Sequence, residues 1–216
     1  MELSVHIENK IKQSLNTVNS NIESSNGLPN KFYTSKEIFE YEKETVFSNN
    51  WCGIAFGSDI PDVGDIKALE FLNIPLIIVR TEKEQIEVFE NVCRHRGMIL
   101  VEENAKHKKH IRCPYHNWCY GIDGKLVSTP HVGGIGKHSH KGVKKNELGL
   151  NKVRSHVWND TIFIDITGNA LSFDDHFSRL KKRWSDFDQP MFFGGNDSGF
   201  SMCLNANWKL AIENYC

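Results

Sequence analysis

The chain has 216 residues, with 26 Lys+Arg against 27 Asp+Glu and a formal net charge of −1. That balance excludes a dedicated nucleic-acid or anionic-membrane binder, whose affinity rests on a basic excess. With 39% hydrophobic residues a packed core is within reach, and the longest apolar stretch, residues 74–79, is far short of the about 20 needed to cross a bilayer. Glu2, His6 and Glu8 break up any apolar leader, so a soluble, cytoplasmic protein is expected.

Residues 1–27 read as a polar, Asn/Ser-rich arm in which Leu3, Ile7, Ile11, Leu15 and Val18 recur at helical spacing. Thr34-Ser35-Lys36-Glu37 has the form of a capping box opening a helix with a stripe of Ile38, Tyr41, Val46 and Phe47. From Asp65 the period becomes alternating, and Ile66–Phe71, Ile74–Val79 and Ile86–Phe89 read as three antiparallel strands. A hairpin follows around Asp123-Gly124, then a Gly/His/Lys loop over 131–147, then a hairpin turning at Asn159-Asp160. Ser172 opens a helix with an apolar face of Phe173, Phe177, Leu180 and Trp184. The basic end of that helix, Arg179 to Arg183, suits the helix dipole, with docking of an acidic partner as the alternative. A last helix starts near Asn207.

Six cysteines (52, 93, 113, 119, 203 and 216) are scattered without the spacing of a disulfide framework. Cys52, Cys119 and Cys203 read as buried apolar residues. Of the ten histidines, His6, His107, His110, His138, His140 and His176 sit in polar surroundings and read as surface. Cys93-Arg94-His95 and Cys113-Pro114-Tyr115-His116 are different: two mixed pairs, each where a strand gives way to a turn, with Gly97 after the first and Gly121 further on after the second. Two loops at one end of a β-sandwich can bring both thiolates and both imidazoles together. A structural zinc site accepts such a set. A Rieske [2Fe–2S] centre does too, and there both thiolates bind one iron and both imidazoles the other. Zinc fingers usually pair Cys with Cys and His with His, so one of each per loop favours the Rieske arrangement. Gly97 and Gly121 are candidates for letting backbone approach the cluster, and Tyr115 and Trp118 for shielding it from water.

The run Asn91-Val92-Cys93-Arg94-His95-Arg96-Gly97 with Cys113-Pro114-Tyr115-His116-Asn117-Trp118 resembles the Rieske domain of ring-hydroxylating-type non-haem iron oxygenases, large (alpha) subunit. The lead-in from Leu28-Pro29 to Gly64-Asp65 and the segment Asn207 to Tyr215 resemble that family as well. The implied fold is mainly β with flanking helices (α+β). It is a Rieske-type antiparallel β-sandwich with a cluster-binding subdomain of two loops, followed by the start of a truncated helix-grip catalytic domain. The implied division is 1–27 arm, 28–150 Rieske domain with helical lead-in, and 151–216 beginning of the catalytic domain.

By resemblance, Cys93, His95, Cys113 and His116 hold the [2Fe–2S] cluster, and no catalytic residue is assigned within the chain. The family's mononuclear Fe(II) sits on two His and one carboxylate beyond the Glu-Asn-Tyr helix. That iron is therefore expected only in a full-length or complemented protein, and Glu213 and Asn214 match positions near it. The implied function is electron relay from a reductase or ferredoxin to an O2-activating iron in a mono- or dioxygenase, incomplete and inactive as this piece alone. The complete protein is expected to be a homotrimer, with no nucleic-acid or membrane partner. A stand-alone Rieske-type ferredoxin is the alternative. Trp118 stands where high-potential Rieske proteins place a hydroxyl near a cluster sulfur, so the potential is expected below about +200 mV.

Overall fold

In the computed structural model, residues 2–16, 18–187, 189 and 202–215 are described, with the side chains of residues 2–7 and 10 outside that set. Part of the expected N-terminal stripe (Leu3 and Ile7), the His6 side chain and Cys216 therefore lie outside the described residues. The helices are α1 (Glu2–Leu15), α2 (Lys31–Thr34), α3 (Lys36–Glu42), α4 (Phe173–Arg183) and α5 (Trp208–Glu213). The strands are β1 (Cys52–Phe56), β2 (Ile66–Phe71), β3 (Ile74–Glu82), β4 (Gln85–Glu90), β5 (His110–Arg112), β6 (Cys119–Gly121), β7 (Leu126–Ser128), β8 (Lys152–Trp158) and β9 (Thr161–Asp165). They fall into two compact units, residues 49–193 and residues 1–48 with 194–216. Among the described residues no helix is long and apolar enough to cross a membrane.

The larger unit holds a six-stranded antiparallel sheet, β1-β9-β8-β4-β3-β2, and a three-stranded sheet, β5-β6-β7. β3 explains its own composition. Leu76 and Ile78 pack with Val88, Ile162 and Ile164 in one core, while Ile77 and Val79 pack with Phe89, Ile111, Trp118 and Tyr120 in another. A strand buried on both faces cannot alternate with polar residues, which is why 74–79 is an unbroken apolar run. The two-residue hairpin turns put Leu72 and Asn73 at φ 52° and 65°, and Asn159 and Asp160 at φ 47° and 60°. Such left-handed pairs match the right-handed twist of the strands they join.

The segment that leads to the second cysteine is fixed from below by Asp65. Its buried carboxylate accepts the Asp62 and His107 backbone N–H groups, while Ile66 and Ala105 exchange backbone hydrogen bonds. Helix α4 starts at Ser172, whose hydroxyl accepts the Asp175 N–H at 3.1 Å. Its buried Phe173 stacks on His156 (3.9 Å between centroids) and meets Trp51 and Phe163 edge-on or tilted. The expected apolar face is only half engaged: Phe173 is buried and Phe177 half-buried, but Leu180 and Trp184 are exposed.

In the smaller unit the expected capping box is displaced by one residue. Ser35, not Thr34, takes the extended conformation and accepts the Ile38 N–H, because the Thr34 hydroxyl is already turned back onto the Asn30 carbonyl. After Glu42 the helix widens into a π turn over Lys43–Phe47, closed by the Ser48 N–H on the Lys43 carbonyl. Asn207 caps α5 through the Lys209 N–H. Buried Glu42 accepts both the Lys209 ammonium (2.6 Å) and the Trp208 indole N–H (2.9 Å), and the Tyr33 hydroxyl donates to Glu213 (2.7 Å).

Candidate metal centre

The two loops that carry the mixed Cys/His pairs have the same backbone. In the first, the Cys93 N–H donates to the Met98 carbonyl (2.8 Å) and the Gly97 N–H to the Cys93 carbonyl (3.0 Å). In the second, the Cys113 N–H donates to the Trp118 carbonyl (2.8 Å) and the Asn117 N–H to the Cys113 carbonyl (3.0 Å). Both turns need a left-handed residue four positions after the cysteine, met by Gly97 (φ 72°) and Asn117 (φ 56°). Asparagine is among the few side chains that tolerate it. The partner of Gly97 is thus Asn117. Gly121 ends β6 and has no positive φ, so its pairing with Gly97 in the sequence reading is corrected. The shared offset of four from each cysteine was the signal for Asn117.

Cys93 and Cys113 are buried, about 1% exposed each, in the core formed by Ile111, Trp118, Tyr120 and Leu126. The rings of His95 and His116 lie 4.9 Å apart, edge to face. Trp118, buried, stacks flat on His95 (4.7 Å, 9° between planes). Tyr115 leans on His116 (3.7 Å) but is 59% exposed, so it covers one ring face without closing the site to water. Tyr120, fully buried and absent from the sequence reading, places its hydroxyl 3.3 Å from Cys93 Sγ and accepts the Arg94 N–H at 3.0 Å. The aromatic pair Trp118 and Tyr120, two apart where β6 begins, could have flagged it, since both pack in the core that holds Cys93 and Cys113.

Burial is the largest influence on the Cys93 thiol and raises its pKa, as does the Cys113 sulfur beside it; the Tyr120 hydroxyl and the His95 amide pull the other way. Burial, then His116, then Arg96 hold His95 below the usual imidazole range, which keeps it neutral and able to donate a lone pair. Burial and Cys93 raise the Tyr120 phenol, so it stays a donor. The His116 Nδ1 is the buried side-chain nitrogen or oxygen among the described residues that has no hydrogen-bond partner. An imidazole nitrogen left this way costs desolvation unless something accepts its lone pair, and a metal does.

One zinc would need its donors about 3.3–3.8 Å apart, given bond lengths of about 2.0–2.3 Å in a tetrahedron. No three of these four side chains bring their donor atoms within 4.8 Å of one another. The group is instead a thiol pair and an imidazole pair, which suits two metals rather than one.

The remaining candidates separate cleanly. Cys119 is buried as expected, Cys52 half-buried, and Cys203 exposed, which corrects its reading as a core residue: the 202–206 stretch is exposed throughout. His107, His110, His138, His140 and His176 are exposed as expected.

Residues 50–145 match the Rieske [2Fe-2S] domain family model. The chain is 29% identical over 188 residues to the carnitine monooxygenase oxygenase subunit of Escherichia coli K12, covering 87% of this chain and 49% of that protein. It is 30% identical over 188 residues to the glycine betaine monooxygenase oxygenase subunit of Pseudomonas aeruginosa, covering 87% and 42%. Over most of its length the chain is homologous to oxygenase subunits of Rieske non-haem iron oxygenases. Among solved structures it is similar to naphthalene 1,2-dioxygenase from Rhodococcus sp., with a TM-score of 0.71 and 29% identity over 83% of this chain and 39% of that one. The mainly antiparallel β architecture is shared with that structure. The chain spans about half the length, or somewhat less, of the curated relatives it matches. These matches extend well past residues 50–145, covering segments on both sides of the Rieske domain.

Proposed function

We propose that Cys93 and Cys113 bind one iron and His95 and His116 the other iron of a Rieske [2Fe–2S] cluster, and that this chain relays electrons within an oxygenase. The observation that carries this is the split of four donors into a buried thiol pair and a neighbouring imidazole pair, with His116 Nδ1 lacking any other partner. When bound, such a cluster takes up and passes on one electron at a time. Around it, the chain's own residues do the tuning. With Cys93 bound to iron as a thiolate, its Sγ has no hydrogen to give, so the Tyr120 hydroxyl 3.3 Å away would donate to it. Trp118 excludes water from one face of His95, and Tyr115 covers His116.

The longer reading follows the relatives. Electrons arrive from a reductase or ferredoxin and leave for a mononuclear Fe(II) that activates O2 in the complete, trimeric, cytoplasmic protein. The division into an arm (1–27), a Rieske domain (28–150) and the start of a catalytic domain (151–216) belongs to the same proposal. Coverage of 87% of the chain by oxygenase subunits favours this over a stand-alone carrier. The substrate class that best fits is a small quaternary ammonium compound, after the names of the relatives, with an aromatic ring as the second option.

Anaerobic titration of the reconstituted chain with dithionite tests the core of this. About one electron per chain should bleach the visible spectrum, and Cys113→Ser should abolish both the colour and the uptake. A chain that takes up no electrons after reconstitution with iron and sulfide contradicts it.

A further inference from the structure

The near-zero net charge hides a sharp segregation. Residues 91–145, which include both loops, hold eleven Lys/Arg against three Asp/Glu, a net charge of +8, leaving −9 on the rest of the chain. All eleven of those basic residues are exposed. Two are neutralised locally, Lys125 by Asp123 (2.8 Å) and Lys144 by Glu147 (3.1 Å). Among the described residues, Arg96, Lys106, Lys108, Lys109 and Arg112 have no ion pair.

Their placement relative to the site is set by the chain itself. Arg94 and Arg96 bracket His95, and Arg112 precedes Cys113, so these guanidinium groups originate within one residue, about 3.8 Å between Cα atoms, of a candidate ligand. On β5 the burial pattern turns Ile111 into the core and His110 and Arg112 outward. Lys108 and Lys109 immediately precede that strand. Their loop is held by the Lys108 N–H on the Gly64 carbonyl and by Asp65 on the His107 N–H, so the ammonium groups are presented by a fixed backbone.

Self-repulsion in a +8 segment is a cost to folding that nothing in the packing requires. We infer that this basic surface, with Arg96, Lys108, Lys109 and Arg112 at its centre, is the landing site for an acidic one-electron carrier protein. The inference rests on the Rieske reading above and names the chemistry of its partner. Complementary charge steers encounter and orients the donor toward the His95–His116 end. One electron leaves the donor's reduced centre and enters this protein, with no bond made or broken and no proton required. The basic end of α4 (Arg179 to Arg183) is a weaker candidate, because Asp174, Asp175 and Asp186 stand in or beside the same helix and Lys181 already pairs with Asp174.

The test uses the cluster-loaded chain and an acidic plant-type [2Fe–2S] ferredoxin as probe, with stopped-flow reduction followed in the visible. The rate constant should fall about tenfold or more between low salt and about 0.5 M, where charges are screened beyond a few ångströms. Lys108→Glu with Lys109→Glu should slow it about tenfold at low salt, whereas Lys182→Glu with Arg183→Glu on α4 should leave it unchanged. Reduced methyl viologen, a small cation, provides the independent readout of a competent cluster. If viologen reduces the protein but the ferredoxin rate ignores both salt and the Lys108/Lys109 reversal, the docking inference is wrong and the cluster reading stands. A wild-type chain that neither reagent reduces sinks both.

Discussion

The Tyr120 hydroxyl lies 3.3 Å from Cys93 Sγ and also receives the Arg94 N–H. When Cys93 is a metal-bound thiolate it can only accept, so the phenolic hydrogen would be directed at sulfur. A donor on a ligand sulfur withdraws negative charge and stabilises the reduced state. Tyr120→Phe should therefore lower the reduction potential by about 40–60 mV, the one-electron equivalent of about 1 kcal/mol. Redox titration against the wild type measures it. An unchanged potential with an intact cluster spectrum would remove Tyr120 from the account. The same hydroxyl opposes the low potential expected from Trp118 alone, because Tyr120 sets it beside the Cys93 sulfur from the strand rather than the turn.

His156 makes the fold sensitive to acid. Its ring is stacked on Phe173, and burial first, then Lys181, hold its pKa below the usual value of 6.5. The unfolded chain therefore binds a proton more readily than the folded one, so stability is full above about pH 6.5 and declines as pH falls below it. Urea unfolding of the wild type and His156→Phe from pH 7.5 to 5 should show a shallower acid loss in the variant.

Gly124 holds the β6–β7 hairpin against β4. It has φ 78°, and a Cβ there would meet the Phe89 ring at 2.6 Å. Phe89 is itself buried and cannot swing away. Gly124→Ala should cost about 2–3 kcal/mol by chemical denaturation, from left-handed strain and overpacking together. Gly97→Ala, where nothing lies within 4 Å of the added Cβ, should cost only the backbone strain, about 1–2 kcal/mol.

The Glu42–Lys209 pair fixes α5 in the smaller unit, each side chain about 10% exposed. Removing one member strands a buried charge, so Lys209→Met should destabilise that unit by about 3 kcal/mol. Adding Glu42→Leu should recover part of the loss, although the Trp208 N–H then loses its acceptor. Protease resistance of the α5 segment is a direct readout.

What was legible in the sequence followed from period and punctuation. β3 announced itself as a strand, the Asn159-Asp160 turn as a hairpin, and Ser172 and Asn207 as helix starts, because each is decided by nearest neighbours; that β3 is buried on both faces came only with the structure. The four candidate ligands were legible because mixed Cys/His pairs at such spacing have few other uses. Tertiary competition hid the rest. Thr34 lost the cap to Ser35 through a bond to Asn30, and Leu180 and Trp184 kept their helical spacing without a surface to bury them. Tyr120 reaches Cys93 across 27 positions in the chain, a distance that no local pattern reports. The charge segregation was present in the letters all along, but its meaning depended on where the loops meet.

The most direct test of the central claim is pulsed EPR on the reduced, iron-loaded chain, combined with metal and sulfide analysis. About two irons and two acid-labile sulfides per chain are expected, with nitrogen couplings from two imidazoles, one of them lost in His116→Ser. One zinc and no sulfide, or an iron–sulfur signal whose nitrogen couplings survive unchanged in that variant, would contradict it.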